Sequence, residues 1–100
     1  MDRPIDLPAQ AVEAFCRKYH IRKFSLFGSV LRPDFRPDSD IDVLVEFESG
    51  HVPGFITLGI MHVELAEILG RPVDIKTPAS LSVYFRQDVL DQAKVQYERE

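Results

Sequence analysis

Three stretches of the chain carry apolar side chains at the spacing of one helix face. Residues 8–19 and 55–69 place apolar residues three and four positions apart, so each stretch is predicted to form an amphipathic helix. A third helix is predicted through residues 84–93, after helix-capping residues at 77–80, and a short helical segment over residues 30–32. One side of the second predicted helix carries Phe55, Leu58, His62, Leu65 and Leu69, and this helix either packs against the sheet or offers a surface to a partner.

Strands are predicted where apolar and polar residues alternate. Residues 23–27 form a short aromatic-rich run, residues 72–76 form a second short strand, and residues 40–47 show the clearest alternation. Residues 95–100 are not assigned to a helix or a strand. Because helices and strands alternate along the chain, we expect an α/β (α+β) domain with a small mixed β-sheet flanked by helices.

Composition limits the classes of function. The chain has 100 residues, and we expect residues 1–100 to form a single domain. Its formal net charge is -4 with no basic block, so we expect no direct contact with nucleic acid. Cys16 is the single cysteine, which fits a reducing compartment, and we expect it to lie in the core. No apolar run reaches bilayer length, so we expect no membrane partner and a cytoplasmic location.

Two carboxylates share one face of the clearest predicted strand. Asp40 and Asp42 are two positions apart, so both project to the same side, and a divalent cation such as Mg²⁺ would relieve their repulsion. Asp74 lies on the later strand between Val73 and Ile75, which would face the core. If the two strands are neighbours, three carboxylates converge and can hold two metal ions. The alternative is that all three are solvent-facing acids of half-exposed strands.

A possible phosphate-binding turn precedes these carboxylates. Gly28 and Ser29 follow the aromatic-rich strand and precede the short helical segment. Glycine allows a backbone to approach phosphate oxygens, and a helix N-terminus offers free amide groups to an anion. The simpler interpretation of this pair is an ordinary turn. Together with the nearby carboxylates, however, the pair indicates a site for a metal-bound nucleoside triphosphate.

The segment over residues 27–45 resembles the signature of the minimal nucleotidyltransferases (MNT) of the DNA polymerase β superfamily. The shared features are the Gly-Ser pair, an arginine at Arg32 and the Ser-Asp-x-Asp motif that leads into an apolar strand. Residues 73–75 resemble the family's third-carboxylate strand, and the resemblance extends over about residues 23–93. Pro33 departs from the pattern, because related sequences often have glycine there.

This resemblance implies a nucleotidyltransferase (polymerase β-like) fold, ATP as substrate and two Mg²⁺ ions. It implies that Asp40, Asp42 and Asp74 are the catalytic and metal-binding residues. It further implies nucleotide binding by Gly28, Ser29, Arg32 and Ser39. Many such proteins are the antitoxin of a toxin–antitoxin pair whose toxin is a HEPN-domain ribonuclease. By that resemblance the chain is a type VII-like antitoxin that transfers AMP from ATP to a tyrosine of its HEPN partner in a hetero-oligomer.

Two other functions remain open at this point. The chain could be an antitoxin that neutralises a HEPN toxin by binding alone, which the broad apolar surface of the second helix favours. It could also be a nucleotidyltransferase of a small molecule, although such enzymes generally add a second domain. The three histidines point to no further site: His62 is expected to be packed, and His20 and His51 have no second metal ligand at a recognisable spacing.

Overall fold

The computed structural model describes residues 7–28 and 40–99. Its elements in chain order are α1 (Ala9–Lys18), β1 (Ile21–Phe27), β2 (Ile41–Phe47), α2 (Phe55–Leu69), β3 (Val73–Lys76), a 3₁₀ helix (Pro78–Ser80), α3 (Arg86–Gln92) and β4 (Lys94–Glu98). The predicted helical segment over residues 30–32 lies outside the described ranges.

The strands form a mixed sheet with the order β3-β2-β1-β4. β1 pairs antiparallel with both β2 and β4, whereas β2 pairs parallel with β3. The parallel pair is possible because α2 carries the chain back from the end of β2 to the start of β3. The prediction of a small mixed sheet flanked by helices is therefore confirmed.

The hydrophobic core lies between the sheet and the two longer helices. Its largest side chains are almost completely shielded from solvent: Phe15, Ile21, Phe24, Leu26, Ile41, Met61 and Leu65. Cys16 is fully buried among them, as expected. Burial, with a smaller contribution from nearby Glu13, raises the pKa of the Cys16 thiol to about 12. The thiol is therefore protonated at neutral pH and is not available as a nucleophile.

The second helix has the predicted bounds, and it packs against the core with only part of its apolar surface. Met61 and Leu65 are fully buried and Leu58 packs against the core, whereas Phe55 is 91% exposed. The sequence left core packing and a partner surface open for this helix, because α2 is apolar around most of its circumference and periodicity does not select one side.

The chain after β3 also differs from the prediction. Thr77 caps the 3₁₀ helix through its side chain, and the α-helix begins only at Arg86. The Arg86 guanidinium explains the intervening turn, since it donates hydrogen bonds to the carbonyl groups of Pro78 and Leu81 at 2.7 and 3.1 Å. Most of the unassigned C-terminal stretch forms β4, an edge strand that pairs with β1.

Candidate active site

Two aspartates lie side by side on the parallel strands. Asp42 of β2 and Asp74 of β3 are direct partners in the register, so their Cα atoms are about 5 Å apart. Ile41 and Val43 on either side of Asp42 are fully buried, so Asp42 projects to the sheet face opposite the helices. Both aspartates are half-buried. The two strands are neighbours, so the condition for convergence is met for this pair and the sheet brings these two carboxylates together.

Gly28 packs directly against one of these carboxylates. It follows β1, whose last residue, Phe27, pairs with Asp42 across the antiparallel ladder. Its φ of 77° lies in the left-handed region that glycine adopts without strain. A Cβ at this position would overlap the Asp42 carboxylate and lie 3.0 Å from its Cγ. The site therefore requires glycine both for its backbone conformation and for its lack of a side chain.

The remaining predicted residues occupy different positions. Asp40 is exposed and comes immediately before β2, where the Ile41 amide donates a 3.0 Å hydrogen bond to the carbonyl of Pro72. This bond continues the pairing of β2 and β3 at the level of Asp40. Ser29, Arg32 and Ser39 lie outside the described residues.

A lysine that the sequence analysis did not single out accompanies Asp74. The Nζ atom of Lys76 is 3.7 Å from Oδ2 of Asp74, and both side chains are more than 40% exposed. The two residues are two positions apart on β3, so they share one face. The spacing of two residues between Asp74 and Lys76 on a predicted strand was the sequence signal that could have identified this lysine. Lys76 places a positive charge beside the carboxylate pair.

His62 connects α2 to the strand that carries Asp74. Its Nε2 accepts a 3.3 Å hydrogen bond from the Ile75 amide, and its Nδ1 is 2.9 Å from the carbonyl oxygen of Leu58. Because Nε2 is the acceptor, we assign the proton to Nδ1, which then donates to Leu58. His62 is a packed residue, as expected, and it satisfies a backbone amide on the outer edge of β3.

The end of the sheet that carries Asp42 and Asp74 offers groups of the kind that bind a divalent cation. Carboxylate oxygens are the ligands that Mg²⁺ prefers, and Asp42 and Asp74 supply them from adjacent strands. The glycine beside Asp42 leaves space that any other residue would fill. The residues present therefore fit a divalent cation and an anionic ligand at this end of the sheet.

Sequence comparison identifies the family. A profile described as Nucleotidyltransferase domain matches residues 9–95, which is most of the chain.

The chain belongs to the nucleotidyltransferase domain family.

Two named relatives support this assignment. A Methanocaldococcus jannaschii protein that is provisionally named a protein adenylyltransferase is 36% identical over 76 residues, which cover 76% of this chain and 80% of that protein. Protein adenylyltransferase MntA of Thermococcus cleftensis is 32% identical over 73 residues, which cover 73% of this chain and 72% of that protein. The chain is therefore a nucleotidyltransferase with relatives named for adenylyl transfer to protein.

One chain of a solved complex has a similar fold. It contains a tri-AMPylated Shewanella oneidensis HEPN toxin with an MNT antitoxin; the match has a TM-score of 0.64 at 23% identity and covers 90% of this chain and 69% of the other. At this identity the similarity shows a shared fold. In the part of the chain that the structure describes, no helix is both long enough and apolar enough to cross a membrane.

Proposed function

We propose that this chain is an antitoxin that transfers AMP from ATP to a tyrosine of a HEPN-domain toxin. The observation that carries the proposal is the Asp42–Asp74 pair on adjacent parallel strands with Gly28 packed against Asp42. Family membership and the named adenylyltransferase relatives support the reaction type. The HEPN toxin in the solved complex supports the class of partner.

In the proposed reaction the tyrosine oxygen attacks the α-phosphorus of ATP. A bond forms between these two atoms, the bond from the α-phosphorus to the bridging oxygen breaks, and diphosphate leaves. The phenolic proton passes to a base, for which Asp74 is the candidate because it is a half-buried carboxylate at the site. Asp40, Asp42 and Asp74 would hold Mg²⁺, and two ions when the site is full. When bound, the metal neutralises phosphate charge and lowers the barrier to attack.

The other binding residues follow from the motif. We assign Gly28, Ser29, Arg32 and Ser39 to the triphosphate. Gly28 supports this assignment because it provides an open backbone surface beside Asp42. Lys76, on the same face of β3 as Asp74, adds a positive charge that can pair with a phosphate or lower the negative potential around the acids.

A second function is favoured by one specific observation. Four large apolar side chains of α2 are more than half exposed: Phe55, Ile56, Ile60 and Val63. A surface of this kind on a small domain is typical of a protein-binding site. An antitoxin that neutralises the toxin by binding alone would use such a surface and would need no carboxylates.

Measuring the mass of the partner toxin after incubation distinguishes the two functions. The wild-type chain, Asp42→Asn and Glu46→Gln are each incubated with the HEPN protein, Mg²⁺ and ATP, and both chains are analysed by intact mass spectrometry. Glu46 is the matched control because it is a carboxylate on the same strand and face, where it pairs with Arg22 at 2.8 Å. We expect one or more AMP units on the toxin with the wild type and Glu46→Gln, and none with Asp42→Asn. Neutralisation without any added AMP would favour binding alone.

A further inference from the structure

Three potential metal ligands meet at the end of the sheet farthest from the aspartate pair. His20 precedes β1, and Glu48 and His51 follow β2. The strand ends Ile21 and Phe47 are register partners there, whereas the aspartate site lies at the other end of β1. Six residues of extended strand separate the two ends, which corresponds to about 20 Å. The three side chains are therefore independent of the candidate active site.

Backbone hydrogen bonds hold these three residues together. The Glu48 amide donates to the His20 carbonyl at 2.8 Å, and the His51 amide donates to the Glu48 carbonyl at 3.0 Å. His20 has a φ of 58°, the left-handed conformation that histidine adopts more readily than most residues. Glu48 and His20 thus extend the β1–β2 ladder, and a hydrogen-bonded turn places His51 beside them.

The side chains of this group have the chemistry and the spacing of metal ligands. The two imidazole rings stack with centroids 3.9 Å apart and planes 20° from parallel. One nitrogen of each ring and one oxygen of Glu48 all lie within 4.8 Å of one another. Ligand atoms on a tetrahedral Zn²⁺ ion are about 3.4 Å apart, given metal–ligand bonds of about 2.0–2.1 Å. Both histidines are exposed, so their side chains are free to rotate out of the stack and bring the ligand atoms to this spacing.

Arg99 fixes the orientation of the third side chain. Its Nη1 atom donates to Oε2 of Glu48 at 2.7 Å, which leaves Oε1 of the same carboxylate for another partner. A second group that holds a metal-binding carboxylate in place is a common feature of metal sites. The Arg99 amide in turn donates to the Arg22 carbonyl at 2.7 Å, so the arginine is anchored to β1.

We propose that His20, Glu48 and His51 form a binding site for a borderline divalent transition-metal ion such as Zn²⁺. Two imidazoles and one carboxylate are the ligand set that such ions select, whereas the all-carboxylate active site suits the harder Mg²⁺. The chain would then hold two kinds of metal at opposite ends of one sheet. Three protein ligands leave one position open for water or for a ligand from another molecule.

Zinc titration of the whole protein in excess Mg²⁺ tests this site, because the excess keeps the carboxylate site occupied. Binding is measured calorimetrically, and the imidazole resonances of all three histidines are followed by NMR. His20→Asn is the first variant, since asparagine tolerates the left-handed backbone but is a poor zinc ligand. His51→Gln and Glu48→Gln remove the other ligands. Glu67→Gln, which removes an exposed carboxylate of α2, is the control.

We expect one zinc ion per chain, with shifts in the His20 and His51 resonances and none at His62. The dissociation constant should rise at least tenfold in each ligand variant and stay unchanged in Glu67→Gln. The proposal is wrong if zinc leaves both exposed imidazoles unperturbed, or if His20→Asn and His51→Gln bind zinc as tightly as the wild type. None of these readouts depends on nucleotidyl transfer.

Discussion

At Gly28 the absence of a side chain determines how closely the backbone approaches Asp42. Because a Cβ would overlap the Asp42 carboxylate, Gly28→Ala must move that carboxylate or the strand end. We expect Gly28→Ala to weaken Mg²⁺-dependent ATP binding at least tenfold, measured by isothermal titration calorimetry. The left-handed φ of 77° adds backbone strain to this steric conflict.

Gly59→Ala is the matched control for this substitution. Gly59 lies inside α2, and a Cβ there would meet no atom within 4 Å. Alanine has the higher helix propensity, so Gly59→Ala should raise the free energy of unfolding by about 0.5–1 kcal/mol and leave ATP binding unchanged. Wild-type ATP affinity in Gly28→Ala would show that the close approach to Asp42 has no role in binding.

Local sequence patterns indicate some residues of the two candidate sites and cannot indicate others, for a physical reason. Asp40, Asp42 and Asp74 were recognisable because strand alternation and a local motif depend on neighbours in sequence. The direct pairing of Asp42 with Asp74 depends on strand register, which only the folded sheet defines. His20 and Glu48 belong to different strand ends, so no local spacing could indicate that they meet.

Substitutions at two adjacent positions of α2 test which face of this helix packs against the core. Met61 is fully buried, whereas the preceding Ile60 is 54% exposed. Met61→Ala should lower the free energy of unfolding by about 2–5 kcal/mol, because it leaves a cavity in the core. Ile60→Ala should cost less than about 1 kcal/mol by urea denaturation. Equal effects at the two positions would mean that α2 packs with a different face inward.

A polar contact between α1 and α2 predicts a dependence of stability on pH. Glu64 accepts hydrogen bonds from the Tyr19 hydroxyl at 2.6 Å and from the Lys18 ammonium at 3.0 Å. Both bonds lower the pKa of Glu64 below its ordinary value of 4.5, and the bond from Tyr19 has the larger effect. Glu64 therefore contributes stability above about pH 4.5 that is lost as the pH falls through its lowered pKa.

Comparison with Glu64→Gln tests this contribution. Glutamine keeps an oxygen that can accept from Tyr19 but removes the charge that pairs with Lys18. We expect the wild type to melt at a higher temperature at neutral pH, and the difference to shrink as the pH falls below 4.5. Bonding to Glu64 also raises the pKa values of Tyr19 and Lys18, so the difference should shrink again at strongly alkaline pH. A difference that stays constant across this range would contradict the assignment.

The C-terminal elements show why sequence periodicity fails at a sheet edge. β4 has one partner strand and none of its residues is fully buried, and its alternation of Val95 and Tyr97 with polar residues is too short to identify a strand by itself. Its pairing with β1 comes from the tertiary structure. Similarly, Tyr84 and Phe85 were assigned to a helix because they are large and apolar, yet they are exposed residues of the turn before α3.

For the molecule as a whole, local patterns indicated the fold class and the long motif indicated the family. The two longer helices have the predicted positions to within one residue, and the parallel pairing of β2 and β3 follows from the helix between them. The local sequence patterns did not predict the strand order β3-β2-β1-β4, because this order depends on how α3 returns the chain to the opposite edge of the sheet.

A site built from paired carboxylates should reduce the stability of so small a domain in the absence of metal. Like charges on directly opposed strand positions destabilise a sheet, and Lys76 at 3.7 Å from Asp74 offsets this only in part because water screens a pair whose side chains are more than 40% exposed. Asp74→Asn should therefore keep or raise the free energy of unfolding of the metal-free protein, by up to about 1 kcal/mol.

The same substitution should remove the stabilisation by ligand. Mg²⁺ with ATP at 100 times its dissociation constant adds about 2.7 kcal/mol to a protein that binds it only when folded. Thermal unfolding with and without Mg²⁺–ATP should thus show a large rise in melting temperature for the wild type and for Glu67→Gln, and little or none for Asp74→Asn. A destabilised metal-free Asp74→Asn that still responds fully to Mg²⁺–ATP would mean that Asp74 serves the fold through Lys76 and is not part of the nucleotide site.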